Sequence, residues 1–185
     1  MANINRDNGF YEPNQNVNVA LPSGEAPTQL PWDMKVGPSY FDSMKALPDN
    51  KYILGLPLAK NPKNSTISFT QEGIKRIGMD NIYAFELGNE PDHYGNSGPT
   101  QTRPEGWTAA DYVSQWTNWT TDISNAVGLD PDNNAFYMGY TLSQYATALQ
   151  KGGSLKANWT MYVPWNLQRK SSLLSHRYAN RVLVV

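Results

Sequence analysis

Short apolar runs alternate with amphipathic stretches through the middle of the chain. The run Lys51–Leu58 (KYILGLPL) is bounded by turn residues and predicts a buried strand. Asn81–Leu87 (NIYAFEL) predicts a second strand that runs directly into Gly88, and Ala135–Tyr140 (AFYMGY) predicts a third. A last candidate strand lies near Leu173–Tyr178.

Segments with helix signals lie before and between these strands. Ser39–Leu47 has a polar start and two apolar residues three apart, which predicts a short helix. Thr70 is predicted to cap the start of a second helix, and Gly78 is predicted to end it. Leu142–Lys151 predicts a further helix before a Gly-Gly stop.

The clearest helix pattern begins at Thr108, which has Asp111 three residues on, and ends at Gly128. Its apolar residues recur at steps of three and four, so one face is predicted to pack against a sheet. We expect the tryptophans on that face to be core residues and not an open platform for a ligand. The apolar positions are Tyr112, Trp116, Trp119, Ile123 and Val127.

The alternation of strands and helices predicts an α/β fold built from parallel strand–helix units. Doubly wound sheets and barrels are both made this way, and the pattern alone does not choose between them. Residues 1–36 are predicted to be loop-like because prolines and a glycine are spread through them.

Composition removes several classes of function. The 185 residues carry a formal net charge of −1 and no basic run, which disfavours nucleic acid and anionic membranes. No apolar run approaches the roughly 20 residues that span a bilayer. The chain has no cysteine, and no spacing of His, Asp or Glu suggests a metal. Aromatic residues reach 12%, which fits either sugar binding or core packing.

Three N-x-Ser/Thr triplets, at Asn64, Asn118 and Asn158, indicate passage through the secretory pathway. The first fifteen residues are polar and lack the apolar core of a signal peptide. We therefore expect an extracellular parent protein whose true N-terminus precedes residue 1.

The segment Gly88-Asn89-Glu90-Pro91 places polar residues at the carboxyl end of a predicted strand. In a barrel of parallel strands, catalytic residues lie at that rim. A carboxylic acid there can protonate a leaving oxygen, and an adjacent amide can bind a sugar hydroxyl. Pro91 is predicted to hold Glu90 in an extended backbone, so that Glu86 and Glu90 would share one face.

Longer stretches around this motif carry a family resemblance. Gly88–Pro91 resembles the strand-four motif of the clan A glycosidases, and YAFELGNEPDHY (Tyr83–Tyr94) resembles glycoside hydrolase family 79, which contains fungal β-glucuronidases and heparanase. VGPSYFDSMKALP (Val36–Pro48) and RPEGWTAADYVSQW (Arg103–Trp116) are similar to the flanking units of that family. The resemblance implies that residues 1–185 are part of a catalytic (β/α)8 TIM barrel, covering about strands 2 to 5 or 6. Residues 158–185 depart from the family pattern.

The resemblance also implies a chemistry. Glu90 would be the general acid/base of a retaining hydrolase that cleaves β-linked glucuronic acid or a related sugar from oligosaccharides, polysaccharides or proteoglycan glycans, without a cofactor. Asn89 would bind the 2-hydroxyl of the sugar, and His93 and Tyr94 would line its pocket. The family's nucleophilic glutamate lies on strand seven, and no Glu follows Glu105 here. We therefore expect this chain alone to be inactive.

Other interpretations stay open. Glu86 is read more readily as a buried structural carboxylate than as a reacting group, and His93 could equally belong to a surface loop. The chain could be a non-catalytic carbohydrate-binding or structural fragment. It could also belong to an arabinosidase or xylosidase of the same clan.

Overall fold

A computed structural model of the chain describes residues 9–16, 19–20, 34–46, 50–95, 101–132, 136–138 and 182–184. Its strands are β1 (Gly9–Tyr11), β2 (Val19–Ala20), β3 (Met34–Val36), β4 (Lys51–Leu56), β5 (Ile82–Leu87), β6 (Tyr137–Met138) and β7 (Val182–Val184). Its α-helices are α1 (Lys63–Ile77) and α2 (Ala109–Val127), and 3-10 helices span Pro38–Ala46, Met79–Asn81 and Pro91–His93.

The larger sheet has the strand order β6-β5-β4-β7, and every pairing in it is parallel. Strands β4, β5 and β6 are neighbours in chain order, which confirms the predicted parallel strand–helix units. A smaller sheet has the order β1-β3-β2, with β1 parallel and β2 antiparallel to β3. The fold is therefore mixed α/β, and the strands within the described ranges do not close into a barrel.

The predictions of β4 and β5 are confirmed with small shifts of their ends, whereas β7 was not predicted from the sequence. β4 stops at Leu56 because Pro57 has no backbone N–H to donate to a neighbouring strand. β5 covers Ile82–Leu87, and the short β6 lies inside the third predicted strand. The candidates near Leu173–Tyr178 and at Leu142–Lys151 lie outside the described residues, as does the tail from 158 up to 181.

The core lies between the larger sheet and the two α-helices. In α2, Tyr112, Trp116 and Ile123 are almost completely buried and Trp119 is 9% exposed. This confirms that the tryptophans face the core. Thr108 caps the helix in a reciprocal capping box with Asp111, as predicted, and Gly128 ends it in a left-handed conformation.

The start of α1 differs from the prediction. The helix begins at Lys63, after Pro62, so Thr70 lies inside it and is not its cap. The hydroxyl of Thr70 donates to the carbonyl of Thr66 at 2.8 Å, one turn earlier. A threonine can satisfy its hydroxyl on a backbone group either as a cap or within a helix, and sequence does not separate the two. Gly78 ends the helix as predicted.

The segment Pro38–Ala46 forms a 3-10 helix where a short helix was predicted. Its two large apolar residues, Phe41 and Met44, are buried. Residues three apart lie directly above one another in a 3-10 helix, so this tighter turn presents both side chains to the core. Phe41 packs against Phe69 of α1, with ring centroids 4.8 Å apart.

The prediction that residues 1–36 are loop-like is wrong for three short stretches. β1, β2 and β3 pair with one another, and Met34 and Val36 are buried on either side of the exposed Lys35. Strands of two or three residues are too short to show alternation among prolines and asparagines. Their pairing comes from distant partners and not from local propensity.

The helices that the structure describes are all too short or too polar to cross a bilayer.

Thr66 ties α1 to the end of β4, because its buried hydroxyl donates to the carbonyl of Pro57 at 2.6 Å. We expect Thr66→Val, which keeps the shape of the side chain, to lower the free energy of unfolding by about 1–3 kcal/mol. Thr70→Val is the matched control. It removes the hydroxyl that donates to the Thr66 carbonyl, but that carbonyl still accepts a helical N–H. Urea unfolding measures the free energy of unfolding of both variants. Equal losses of stability would contradict the role of Thr66.

Arg76 joins α1 to the preceding 3-10 helix through Asp42, at 2.5 Å, and also pairs with Glu72 of its own helix at 2.5 Å. The hydrogen bond from Arg76 holds the pKa of the Glu72 carboxyl below its usual value. A lowered pKa in the folded state stabilises the fold above the unfolded value, and this stabilisation is lost as the pH falls through the folded pKa.

We therefore expect Arg76→Gln to lower stability at pH 6 and to flatten the loss of stability between pH 6 and pH 3. Lys75→Gln is the control, because Lys75 is 76% exposed and lies 3.5 Å from the same carboxylate. Chemical unfolding at several pH values measures the slope. An identical slope in wild type and Arg76→Gln would rule out this linkage.

Candidate active site

The carboxyl ends of β4 and β5 lie side by side. Leu56 pairs with Leu87, and the N–H of Gly88 donates to the carbonyl of Leu56 at 3.0 Å. The residues that follow both strands, Pro57–Ala59 and Gly88–Glu90, therefore emerge at one edge of the sheet. We call this edge the rim. In parallel α/β folds the corresponding edge is where ligands bind.

The backbone turns sharply after β5. Gly88 has a φ of 80°, and Glu90 has a φ of 50° and a ψ of 50°, which is the left-handed helical conformation. Glu90 is the one non-glycine residue with positive φ in the part of the chain that the structure describes. The prediction of an extended backbone at Glu90 is thus wrong. A following proline disfavours the right-handed helical region, and the chain uses the left-handed alternative to end the strand.

The turn is continued by two backbone hydrogen bonds. The N–H of His93 donates to the carbonyl of Glu90 at 2.9 Å, and that of Tyr94 donates to Pro91 at 3.1 Å. Because strand geometry ends at Leu87, the alternation that would place Glu86 and Glu90 on one face does not reach Glu90. The left-handed turn sets the direction of the Glu90 side chain.

The polar residues at the rim differ in burial. Asn89, Glu90 and His93 are half-buried, so water and ligands can reach them. Glu86 is 8% exposed, within β5, which agrees with the prediction of a buried carboxylate. The structure therefore brings Asn89, Glu90 and His93 into one turn and leaves Glu86 inside the sheet.

Tyr94 packs beneath this turn. It is 3% exposed, and its ring stacks on Trp107 with centroids 5.5 Å apart. A Cβ atom at Gly88 would come within 3.0 Å of the Tyr94 hydroxyl and 2.9 Å of Leu58 Cδ2. Only glycine fits this position, because the Tyr94 hydroxyl and the end of the β4 segment both press against its backbone.

Arg103 lies beside the two stacked rings. Its guanidinium carbon is 5.5 Å from the ring centroid of Tyr94 and 5.5 Å from that of Trp107. Nη1 donates to the carbonyl of Ala59 at 2.7 Å, and Nη2 donates to that of Leu58 at 3.0 Å. Sequence reasoning did not assign this arginine to the site. The one local signal was its place in the Arg-Pro-Glu-Gly-Trp segment that follows the rim loop.

Three of the four acidic residues after Glu105 use their carboxylates in other contacts, and the fourth, Asp132, is exposed in the loop after α2. Asp111 is part of the cap of α2, Asp122 pairs with Lys63, and Asp130 accepts a hydrogen bond from the N–H of Asp132. Hydrogen bonds from Thr108 lower the pKa of Asp111, as its capping role requires. Within the described ranges, no group of three or more His, Asp or Glu side chains is placed to hold a metal ion.

A cleft of about 600 Å3 lies behind Arg103, between the end of β4, α1 and α2. Aromatic, amide and amino side chains line it, including Phe10, Lys60, Gln101, Gln115 and Trp119. Asn89, Glu90 and His93 are not among its lining residues. The rim turn and this cleft are thus separate features, although Arg103 lines the cleft and also contacts Tyr94 at the end of the turn.

Comparison with known proteins relates the chain to glucuronidases. A β-glucuronidase of Aspergillus niger is 37% identical over 100 residues, which are 52% of this chain and 18% of that protein. A β-glucuronidase of Neurospora crassa is 30% identical over 138 residues, or 70% of this chain and 24% of that protein. The matched residues thus span less than a quarter of the length of either relative. No protein-family model matches it.

A solved structure has a similar fold. It is a 4-O-α-L-rhamnosyl-β-D-glucuronidase from Fusarium oxysporum in complex with Rha-GlcA. The TM-score is 0.59 at 18% sequence identity, over 75% of this chain and 28% of that protein. At this identity the likeness speaks for the fold alone.

Gly88 and Gly106 provide a matched test of the packing at the rim. Their φ angles are 80° and 85°, but a Cβ at Gly106 would meet nothing within 4 Å. We expect alanine to carry a similar conformational cost at both positions, about 1–2 kcal/mol. Gly88→Ala should cost about 1–3 kcal/mol more, because the new methyl group meets Leu58 and Tyr94. Equal unfolding free energies for the two variants would refute the close packing.

Proposed function

We propose that this chain is part of a glycoside hydrolase that acts on β-linked glucuronic acid or a related sugar, with Glu90 as the general acid/base. One observation carries the proposal. A half-buried glutamate stands in a constrained turn at the carboxyl end of β5, in a chain that is similar in sequence to β-glucuronidases. Family 79 and a (β/α)8 barrel of which residues 1–185 supply a part belong to the same proposal.

The proposed reaction retains the configuration of the sugar. In the first step the Glu90 carboxyl gives its proton to the glycosidic oxygen as the bond to the anomeric carbon breaks. A carboxylate nucleophile then bonds that carbon. In the second step the Glu90 carboxylate takes a proton from water, which displaces the nucleophile and releases the sugar. The substrate would be an oligosaccharide, polysaccharide or proteoglycan glycan, and no cofactor takes part.

The neighbouring residues have distinct proposed roles. Asn89 precedes the acid and is half-buried, which suits a hydrogen bond to the 2-hydroxyl of the sugar. His93 is also half-buried and would line the pocket at the far end of the turn. Tyr94 is almost wholly buried beneath the turn, so its proposed part is to support the wall of the pocket from below.

We further propose that this chain alone does not turn over substrate. Retaining hydrolysis needs a second carboxylate about 5–5.5 Å from the acid. Of the acidic residues after Glu105, three serve the α2 cap, an ion pair with α1 and a loop hydrogen bond, and Asp132 is exposed in the loop after α2. In the family that the chain resembles, the nucleophile lies on a later strand.

The parent protein is proposed to be extracellular. Two of the three N-x-Ser/Thr asparagines, Asn64 and Asn118, are exposed on α1 and α2, where a glycan could be accommodated. The third, Asn158, lies outside the described residues.

A chimera tests the role of Glu90 in a complete active site. Residues of this chain that include Tyr83–Trp116 replace the matching segment of the Aspergillus niger β-glucuronidase. We expect Glu90→Gln in the chimera to lower kcat/KM by about 100- to 10,000-fold for an alkyl β-glucuronide, which needs protonation of its leaving group in the first step. The loss of kcat/KM should be much smaller for a dinitrophenyl β-glucuronide, whose leaving group departs without a proton.

Glu105→Gln is the control, since Glu105 is exposed and close in sequence. The 185-residue chain alone is expected to give no turnover of either substrate. Equal losses of kcat/KM for both leaving groups, or full activity of Glu90→Gln, would remove Glu90 as the acid.

A second candidate is a non-catalytic carbohydrate-binding role, favoured by the cleft behind Arg103. Its aromatic and amide side chains are of the kinds that bind sugars. Calorimetric binding of a glucuronide oligosaccharide that survives Glu90→Gln and is lost with Gln101→Ala, a change of an exposed residue that lines the cleft, would favour this role. The arabinosidase and xylosidase alternatives would show in the chimera as a change of preferred sugar.

A further inference from the structure

We propose that Arg103 is the positioning residue of the rim, which holds the Glu90 turn in place by tying it to the end of β4. The inference rests on the proposed function only because that function makes Glu90 the acid whose position Arg103 would hold. The contacts of Arg103 themselves can be tested without any catalytic activity.

The guanidinium of Arg103 bridges separate segments of the fold. It donates to the carbonyls of Leu58 and Ala59, directly after β4. Nε and Nη2 also donate to Gln115 Oε1 of α2, at 3.2 and 3.0 Å, and Nη1 donates to the carbonyl of Thr102 at 2.8 Å. One side chain thus connects the end of β4, helix α2 and its own loop.

The same residue also holds Tyr94, in two ways. Its guanidinium lies 5.5 Å from the Tyr94 ring centroid, while the ring stacks on Trp107. In the backbone, the N–H groups of Thr102 and Arg103 both donate to the carbonyl of Tyr94, at 2.9 and 2.8 Å. Tyr94 is therefore fixed at its ring and at its carbonyl by a segment that Arg103 anchors to β4.

The path from Tyr94 to Glu90 is short. Tyr94 and His93 end the 3-10 turn through their bonds to Pro91 and Glu90. A left-handed conformation at a glutamate persists only where the surrounding structure holds it. The segment anchored by Arg103 is placed to hold it, because it fixes the residue at which the turn ends.

Arginine is specifically suited to this role. Its planar fork can reach two neighbouring carbonyls and an amide oxygen at once, and its flat cation lies favourably against aromatic rings. Lysine would keep the charge but could satisfy few of these acceptors. Arg103→Lys therefore separates the shape of the group from its charge.

Amide hydrogen exchange in the 185-residue chain tests the proposal. We expect Arg103→Lys to speed exchange of the His93, Tyr94 and Thr102 amides by at least about tenfold, which is the effect of losing one strong local restraint. The α2 amides from Tyr112 to Ile123 should stay within about threefold of wild type. Arg76→Lys is the matched control. It weakens the ion pairs of an arginine on α1 and should leave exchange of the His93, Tyr94 and Thr102 amides unchanged.

Unchanged exchange at the three amides would overturn the proposal. Equal acceleration of the turn and α2 would overturn it as well, since that result describes general destabilisation. If Arg103→Lys does not fold, Gln115→Met removes one acceptor of the guanidinium and is judged by the same outcomes. Glu90→Gln should leave the turn amides protected, so the positioning role and the acid role can fail separately.

Discussion

The parallel pairing of β4 with β5 is the constraint on which the candidate site depends. Its register sets Leu56 opposite Leu87, so both strands end at the same level. A slip of one residue would exchange the two faces of a strand and separate the segments that meet at the rim. The contacts between Leu58, Gly88 and Tyr94 exist because these two strand ends are adjacent.

The layers around this pair hold the register by burial and by hydrogen bonds at defined points. Helices α1 and α2 cover the sheet with Phe69, Tyr112, Trp116 and Ile123, all in one apolar cluster with β4 and β5. Ser124 of α2 and Tyr137 of β6 share a hydrogen bond of 3.0 Å inside this layer, and burial raises the pKa of that tyrosine. At the rim, the carbonyls of Leu58 and Ala59 lie beyond the end of β4 and accept hydrogen bonds from the Arg103 side chain instead of from a strand.

Much of this arrangement could be predicted from sequence, for identifiable reasons. β4, β5 and α2 have strong local signals: continuous apolar runs, or a capping box and a terminal glycine around a regular stripe. The motif at Asn89-Glu90 could be placed at a strand end for the same reason. The start of α1 could not be predicted, because a threonine hydroxyl can bond the backbone either as a cap or within a helix. The strands β1 to β3 could not be predicted either, because very short strands depend on distant partners. The left-handed turn at Glu90 and the contacts of Arg103 are set by tertiary packing, which local patterns do not record.

The central claim is that the rim turn, and not the cleft behind Arg103, receives the sugar. A crystal structure of the chain soaked with an intact β-glucuronide disaccharide tests it most directly. The account predicts a Glu90 carboxyl oxygen about 2.6–3.2 Å from the glycosidic oxygen, with Asn89 bonded to the 2-hydroxyl. A disaccharide seated against Gln115 and Trp119 in the cleft, with Glu90 out of reach, would contradict it.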